Sequence, residues 1–408
     1  MLDSGIARYV IIGNGVAGTM AAETLRKNDP NCGITLIGGE PYPLYNRVSL
    51  PPFLKLKASE DKVLMRTVEK HAERNIDLCL NTEAQRVDAE GRSVLTACGK
   101  EYPYDALLVA TGGRPNRLSV PGAAEVHTGI CNFQTLDDSK EILDRIADAH
   151  HAVTVGASYI AYELTEAFRA RGVPTTWLIR GPRFLRRILD ETGGAVVQRI
   201  GEQHEVEFVY GEEVAEVHST DGRVSGVVTT AGRTINADLI GVGIGLTLNT
   251  EFLEGTGVAV HKGIVADGCL RTNVPGIYTA GDVAEFYDSF IDQHNTMGTW
   301  DNSSAQGRHV AVNMLGGQQP FAEVPTYTST LFHTKIRVVG ITPESHPDLD
   351  EISTVDMDEL TYQKLWFLRN RLVGAVAIGE MKNRKTLLQA IKSKAEIISD
   401  RERLFEAS

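Results

Sequence analysis

The sequence predicts an α/β protein in which two parallel-sheet domains are followed by a small α+β unit. Three observations predict it. The apolar run Tyr9–Ile12 enters Gly13-x-Gly15-x-x-Gly18, and a helical pattern covers Ala17–Asn28. Ala152–Val155 repeats that order ahead of Gly156, Ser158 and Ala161. Beyond Pro325 the pattern changes to short apolar strands and one closing helix. At 408 residues the chain exceeds one ordinary core, so two or three domains are expected.

The first stretch carries the dinucleotide fingerprint. Gly13 allows the tight turn, Gly15 lets backbone approach a pyrophosphate, and Gly18 lets the helix pack close on the strand. A phosphate would then meet unpaired N–H groups at the positive end of the helix dipole. A second strand, Ile34–Ile37, follows, and Glu40 lies 22 residues past Gly18, near the usual separation for an acid that binds a ribose hydroxyl. The unit is therefore Rossmann-like.

Composition sets the outer limits. Apolar content of 42% with 23% charged residues is that of a soluble globular protein. No apolar run reaches 18 residues, so neither a transmembrane helix nor a membrane partner is expected. Met1–Ala7 has no basic segment followed by an apolar one, so no secretion signal is expected. Cys32, Cys79, Cys98, Cys131 and Cys269 show no C-x-x-C or C-x-x-x-x-C spacing and read as reduced thiols of a cytoplasmic protein, with no metal site. A net charge of −12 argues against nucleic acid as a partner.

After Glu40, the proline-punctuated segment Pro41–Pro52 reads as loop, in which Tyr45 and Arg47 either line a cofactor or are ordinary loop residues. Val63–Asn75 reads as a helix, Ile76–Leu80 and Ala84–Asp88 as strands, and Ser93–Ala97 with Glu101–Tyr104 as a hairpin. Tyr104–Ala110 is a buried strand ending in Thr111-Gly112-Gly113, and Gly113–Asn116 with Pro121-Gly122 reads as a linker.

In the second unit Gly156–Glu163 opens a helix that runs to about Arg171, and a strand covers Thr175–Ile179. Alanine is accommodated at the last fingerprint position, whereas Ser158 brings a side chain to where a pyrophosphate would approach. At the end of the second strand Arg180 replaces the ribose-reading acid, and Arg183, Arg186 and Arg187 follow. A guanidinium there suits a 2′-phosphate and hence NADPH; the other reading is a solvated basic turn. Short strands are expected at Glu205–Tyr210, Val214–Ser219, Val224–Thr230 and Arg233–Ile240, with Gly241–Gly245 returning the chain to the first domain. Thr272–Asp282 is a strand ending in Gly-Asp, and a helix opens near Trp300 and runs to about Leu315. The closing unit has strands at Ile336–Gly340, Tyr362–Leu368 and Leu372–Gly379 and a helix at Arg384–Ile398. The expected domains are 1–114 with 241–318, 115–240, and 319–408.

Taken together, G-N-G-V-A-G, A-T-G-G, G-A-S-Y-I-A-Y-E and V-P-G-I-Y-T-A-G-D-V-A-E resemble, in that order, the FAD-dependent pyridine-nucleotide oxidoreductases with two dinucleotide domains. The segments E-P-Y-P-L-Y-N-R-V-S-L-P and G-D-V-A-E-F-Y are similar to the NADH:rubredoxin oxidoreductases, the ferredoxin reductases and the flavoprotein part of assimilatory nitrite reductases. The resemblance implies FAD and either NADPH or NADH as cofactors. It implies that Gly13, Gly15, Val16, Ala17, Gly18 and Glu40 hold the ADP half of FAD. Arg47 would lie near the isoalloxazine, Ala110, Thr111 and Gly112 would flank the cofactor, Asp282 would bind the ribityl chain, and Val283 would present its N–H to the flavin. Gly156, Ser158 and Ile160 would hold the nicotinamide nucleotide. Tyr159 matches the aromatic that gates it, Glu163 matches the acid beside it, and Lys55 is offered as the acid's lysine partner because Pro51 and Pro52 occupy the usual place. Arginines matching Arg180 and Arg186 bind the 2′-phosphate in NADPH-using relatives. Trp300 matches a position on the flavin's re-oxidising side, or else is a core tryptophan.

Relatives that pass electrons through thiols carry cysteine in the region matching Tyr42–Leu56, and this chain has none there. Thiol relay therefore has no nucleophile. The expected reaction is hydride transfer from NAD(P)H to flavin, placed by Glu163 and Arg47, with electrons leaving to an external acceptor. A small iron–sulfur carrier is the first choice of acceptor. An oxidase or diaphorase using oxygen or quinone, and a slow-turnover flavoprotein subunit or redox sensor, are the alternatives. Arg369, Arg371, Lys382, Arg384, Lys385, Lys392 and Lys394 form either a docking patch or a solvated helix face. The same C-terminal unit is the candidate interface of a homodimer.

Overall fold

The computed structural model describes residues 7–406, so most of the N-terminal stretch examined for a signal lies outside the described residues. Within them no helix is long and apolar enough to cross a membrane. By its internal contacts the chain forms two compact units. One comprises residues 1–46, 60–114 and 248–325; the other comprises 47–59, 115–247 and 326–408.

The first unit is built on a five-stranded parallel sheet. Its order is Ile277–Thr279, Ala106–Val109, Arg8–Ile12, Gly33–Ile37, Asp77–Cys79. Strands buried on both faces must be apolar throughout, and Ala106–Val109 is fully buried. The two faces bury separate clusters, one around Ile11, Leu25, Leu36 and Leu108, the other around Val10, Ile37, Leu107 and Val109. Arg8–Ile12 lies between its successor strand and Ala106–Val109, so the sheet reverses its order at the end of that central strand. Ligands of such sheets bind at that reversal, beyond the carboxyl ends of the strands. Helix Trp300–Met314 packs against helix Val16–Asn28 so closely that a Cβ on Gly307 would lie 2.2 Å from the Ala17 carbonyl oxygen.

The second unit repeats the plan. Its parallel sheet runs Val206–Tyr210, Thr175–Ile179, Ala152–Val155, Leu239–Val242, Ile130–Asn132. Leu239–Val242 belongs to this sheet, and the chain re-enters the first unit at Leu248. The same unit holds a five-stranded antiparallel sheet in the order Thr326–Leu331, Thr334–Gly340, Arg371–Ile378, Thr361–Leu368, Asp350–Asp356. Asp190, the N-cap of helix Glu191–Gln203, ties this sheet to the nucleotide fold. Its carboxylate accepts from Tyr362 Oη at 2.7 Å and from Lys364 Nζ at 2.9 Å, and Lys364 also reaches Glu351 at 2.8 Å.

Several sequence expectations need correction. Pro41–Pro52 is not all loop: Arg47–Ser49 is a 3-10 turn and Leu50–Leu54 a short helix. Its prolines fall in the first helical turn, where a missing N–H costs nothing. Of the helix read over Val63–Asn75 only Val68–Glu73 forms, started by Thr67 accepting from the Lys70 N–H, while Val63 ends a separate short helix, Glu60–Val63. The closing helix stops at Ser393, where Lys394 turns left-handed at φ 53°, instead of reaching Ile398. Strands Thr326–Leu331 and Asp350–Asp356 were not anticipated.

Candidate functional site

The first glycine turn is shaped by close approach. Gly13 has φ +107°, and a Cβ there would lie 2.2 Å from the Ala110 carbonyl oxygen. A Cβ on Gly18 would lie 1.9 Å from the Gly13 carbonyl oxygen. Gly15 differs: among the described residues nothing lies within 4 Å of where its Cβ would point. Helix Val16–Asn28 starts there without a side-chain cap and without an acid in its first turn. Its leading N–H groups at Val16 and Ala17 are thus served by no side chain of the cap, and the open ground over Gly15 suits a pyrophosphate.

Around this turn, Glu40 accepts from the Tyr45 hydroxyl at 2.6 Å, which fixes the carboxylate that would meet a ribose. Thr111 Oγ1 donates to the Asn249 carbonyl at 2.7 Å, and Asn249 Nδ2 donates to the Thr111 carbonyl at 3.1 Å, so Thr111 locks the end of its strand. Gly112 follows at φ +58°. Asp282 is held by Ser303 Oγ at 2.9 Å, and the Gly281 N–H donates to Gln306 Oε1 at 2.8 Å. Gln306 is fully buried and its amide nitrogen has no hydrogen-bond partner among the described residues, a donor left over next to the Gly281-Asp282 turn. Val283 is fully buried, whereas Trp300 is half-buried at the start of its helix, outside the core. Open Gly15, an uncapped helix, an oriented acid and a spare buried donor are features that fit FAD.

The second turn repeats the backbone strain but not the opening. Gly156 has φ +120°, with a Cβ position 2.2 Å from the Gly243 carbonyl oxygen. Ser158 caps helix Tyr159–Ala170: its hydroxyl accepts from the Ala161 N–H at 3.3 Å and donates to the Gly243 carbonyl at 2.8 Å. Ala161 is fully buried against Gly243, which explains why a small residue stands there. Ile160, in the first turn, is half-buried.

On the same helix Tyr159 meets Tyr162 and Phe184 edge-on at 6.1 and 6.2 Å, while Tyr327 tilts over it at 4.4 Å. The Tyr159 hydroxyl is buried with no hydrogen-bond partner among the described residues. Glu163 keeps a partly exposed surface, yet the protein packed around its carboxyl pushes its pKa up to about 7. Opposing that burial are a hydrogen bond from Ser329 Oγ at 3.2 Å, the Lys55 charge and the Tyr327 hydroxyl. Lys55 itself pairs with Glu166 at 2.8 Å, with both side chains nearly buried. The lysine offered from the sequence is therefore at the acid cluster, one turn beyond Glu163. Arg47 Nη1 donates to the Gln134 carbonyl at 3.0 Å.

At the end of strand Thr175–Ile179, Arg180 is exposed and pairs with Glu213 at 3.1 Å. Arg186 is exposed nearby, while Arg183 Nε donates to the Leu189 carbonyl at 2.8 Å and serves the loop itself. Sequence reasoning missed Glu166, Tyr327 and Ser329. Glu166 was legible, since it follows Glu163 by three positions and shares its helix face. Tyr327 and Ser329 lie in a Thr-rich alternating run, T-Y-T-S-T-L, that carried a strand signal.

Comparison with known proteins bears on these sites. A family model described as pyridine nucleotide-disulphide oxidoreductase matches residues 7–307, and one described as the rubredoxin NAD+ reductase C-terminal domain matches residues 330–395. The chain is 28% identical over 400 residues to a nitrite reductase [NAD(P)H] of Bacillus subtilis, covering 96% of this chain but only 48% of that protein. It is 27% identical over 386 residues to a rubredoxin-NAD(+) reductase of Pseudomonas putida, covering 94% of this chain and 98% of that one. The crystal structure of a ferredoxin reductase from Rhodopseudomonas palustris superimposes with a TM-score of 0.87 at 25% identity, over 98% of this chain and 100% of that one.

Proposed function

Because the chain belongs to the pyridine nucleotide-disulphide oxidoreductase family, with FAD and NAD(P)H as its cofactors, we propose that it passes electrons from a nicotinamide nucleotide to a small iron–sulfur protein. Each NAD(P)H gives up two electrons and a proton and becomes NAD(P)+, and two one-electron carriers are each reduced once. FAD, when bound, supplies the conversion between hydride and single-electron chemistry. The chain's own residues bind and orient. Gly13, Gly15 and Gly18 with the amides of Val16 and Ala17 receive the pyrophosphate, Glu40 takes a ribose hydroxyl, and Asp282 and Val283 hold the rest of the cofactor beside Ala110, Thr111 and Gly112. In the other unit Gly156, Ser158 and Ile160 receive the nicotinamide nucleotide, Tyr159 and Glu163 meet its ring, and Arg180 with Arg186 reads a 2′-phosphate. Lys55 balances the acid cluster, Arg47 anchors its loop, and Trp300 stands where electrons leave.

The observation that carries the acceptor reading is the C-terminal match over residues 330–395 to a domain of rubredoxin reductases. The absence of cysteine from residues 42–56 agrees with it, because a thiol relay has no nucleophile there. We read three domains for FAD, nucleotide and docking, 1–114 with 248–318, 115–247 and 319–408, the boundary at 240 moved to 247 so that Leu239–Val242 stays with its sheet. Lys382, Arg384 and Lys385 are exposed on the last of these and offer an acidic carrier a local positive surface on a chain of net charge −12. A cytoplasmic place is part of the same reading, since all five cysteines are free thiols.

The test is anaerobic stopped-flow mixing of the FAD-loaded protein with NADPH or NADH, followed by rubredoxin or ferredoxin. Fast flavin bleaching and carrier reduction that weakens when Lys382, Arg384 and Lys385 are reversed in charge are expected. Bleaching with electrons delivered to oxygen or quinone alone would replace this reading by an oxidase or diaphorase. Bleaching only over minutes would replace it by a redox-sensing subunit.

A further inference from the structure

Helix Tyr159–Ala170 carries Tyr159 and Glu163 four residues apart and therefore on one face. One strand, Thr326–Leu331, meets both. Tyr327 covers the Tyr159 ring at 4.4 Å, and Ser329, two positions on and so on the same side of the strand, donates to Glu163 at 3.2 Å. The Tyr327 hydroxyl also faces that carboxyl. The nearest cation is spent elsewhere, because Lys55 lies 2.8 Å from Glu166. Glu163 is thus held chiefly by neutral hydroxyls. The titratable groups around it are Lys55 from the segment 47–59, Tyr162 and Glu166 from its own helix, and Tyr327 from the strand.

The geometry points to Tyr327 and Ser329 as positioning residues of the nicotinamide site, holding the Glu163 carboxyl and the Tyr159 ring in place from the C-terminal sheet. This rests on the reading that Tyr159 and Glu163 meet the nicotinamide nucleotide. It makes the sheet a part of the nucleotide site as well as a docking surface. The packing that pushes Glu163 to a pKa of about 7 places its charge change where the hydroxyls of Tyr327 and Ser329 decide it.

Calorimetric titration of the FAD-loaded protein with NAD+ and NADP+ across neutral pH tests this. Wild-type affinity is expected to change with a midpoint near the Glu163 value. Ser329→Ala and Tyr327→Phe each remove a donor that favours the carboxylate, so each should move the midpoint upward by about half a unit to one unit. Glu163→Gln should abolish the midpoint, and adding Ser329→Ala to it should change nothing further. Melting temperatures of all variants establish that they fold. Binding with a flat wild-type profile, an unmoved midpoint in the single variants, or a Ser329→Ala effect that survives in the Glu163→Gln background would overturn this inference alone. Failure of the wild type to bind either nucleotide would overturn it together with the reading beneath it.

Discussion

In the first glycine turn the helix begins at Gly15 with no side-chain hydrogen bond from its cap. In the second it begins at Ser158, whose hydroxyl accepts from the Ala161 N–H and donates to the Gly243 carbonyl. Both turns share the strained first glycine, with φ of +107° at Gly13 and +120° at Gly156. The shared part is what the fold needs to turn from strand to helix. The differing part is what a ligand there would meet: an uncapped helix start in one unit, a hydroxyl already satisfied by the protein in the other. On the proposed reading a pyrophosphate would gain fresh donors at Gly15, but at Ser158 it would have to share or displace bonds the chain has made to itself.

The strained glycine is the place to break the comparison hardest. Gly13→Ala would set a Cβ 2.2 Å from the Ala110 carbonyl oxygen at a φ that alanine disfavours, at a cost of more than about 3 kcal/mol. The expected product is misfolded or free of flavin, read from the 450 nm region of the absorbance spectrum and from the melting curve. Gly15→Ala should instead leave the fold intact and weaken FAD retention alone, because open space surrounds its Cβ position. Equal damage at the two positions would mean that the turn is not divided into a structural and a ligand-facing glycine.

A smaller effect belongs to the lock beside the second turn. Lys364 is nearly buried between Asp190 and Glu351, and replacing it by methionine takes from both acids the cation they share. About 2 kcal/mol of stability should be lost, less than for a fully buried pair because both acids retain exposure. Burial works against the Asp190 charge. Hydrogen bonds from the Gly193 N–H, the Thr192 hydroxyl, Lys364 and Tyr362 outweigh it and hold the carboxyl well below its ordinary range. A depressed acid contributes stability above its unfolded value and loses that contribution as pH falls through the folded one. Below about pH 4 the wild type should therefore lose stability faster than Asp190→Asn, in melting temperatures followed down the acid range.

Ser158 gives the next step down. Ser158→Ala removes the cap and should cost about 1 kcal/mol, whereas Ser158→Gly should cost only a few tenths. Calorimetry with NAD+ then sharpens the comparison. Tighter binding to Ser158→Gly would mean that the hydroxyl competes with the pyrophosphate, and weaker binding would mean that the hydroxyl serves it.

How much of this was legible depended on whether the signal was local. Tyr9–Ile12 with its glycines, and Ala152–Val155 with Gly156, fixed both βαβ units, because strand burial and turn strain act within a few residues. Arg47–Pro52 reads as loop because Pro51 and Pro52 look like breakers until a helix start is placed ahead of them. Tyr327 and Ser329 were not recognised as part of a site, since their partners lie more than 160 positions away at Tyr159 and Glu163. Lys55 was found as a lysine, but that it would choose Glu166 over Glu163 is a matter of tertiary packing, which no spacing rule encodes.

The smallest effect on stability, and the finest test of the comparison, lies at the second strand of each unit. The first unit places Glu40 there, fixed by the Tyr45 hydroxyl, and the second places Arg180, paired with Glu213. An acid reads a ribose hydroxyl, whereas an arginine reads a 2′-phosphate. Because Arg180 and Glu213 are both exposed, breaking their pair should change stability by less than about 0.5 kcal/mol. Its effect should fall on nucleotide choice. A lost charge-assisted hydrogen bond is worth about 1.5–3 kcal/mol, so Arg180→Ala should weaken NADPH roughly tenfold or more and leave NADH unchanged. Glu213→Gln should act in the opposite direction and favour NADPH a few-fold, because the phosphate would no longer have to displace a carboxylate from the guanidinium. Steady-state kcat/KM for the two nucleotides measures both changes. If Arg180→Ala weakens NADH and NADPH alike, Arg180 serves the loop and the two strand ends do not divide the nucleotides as Glu40 and Arg180 suggest.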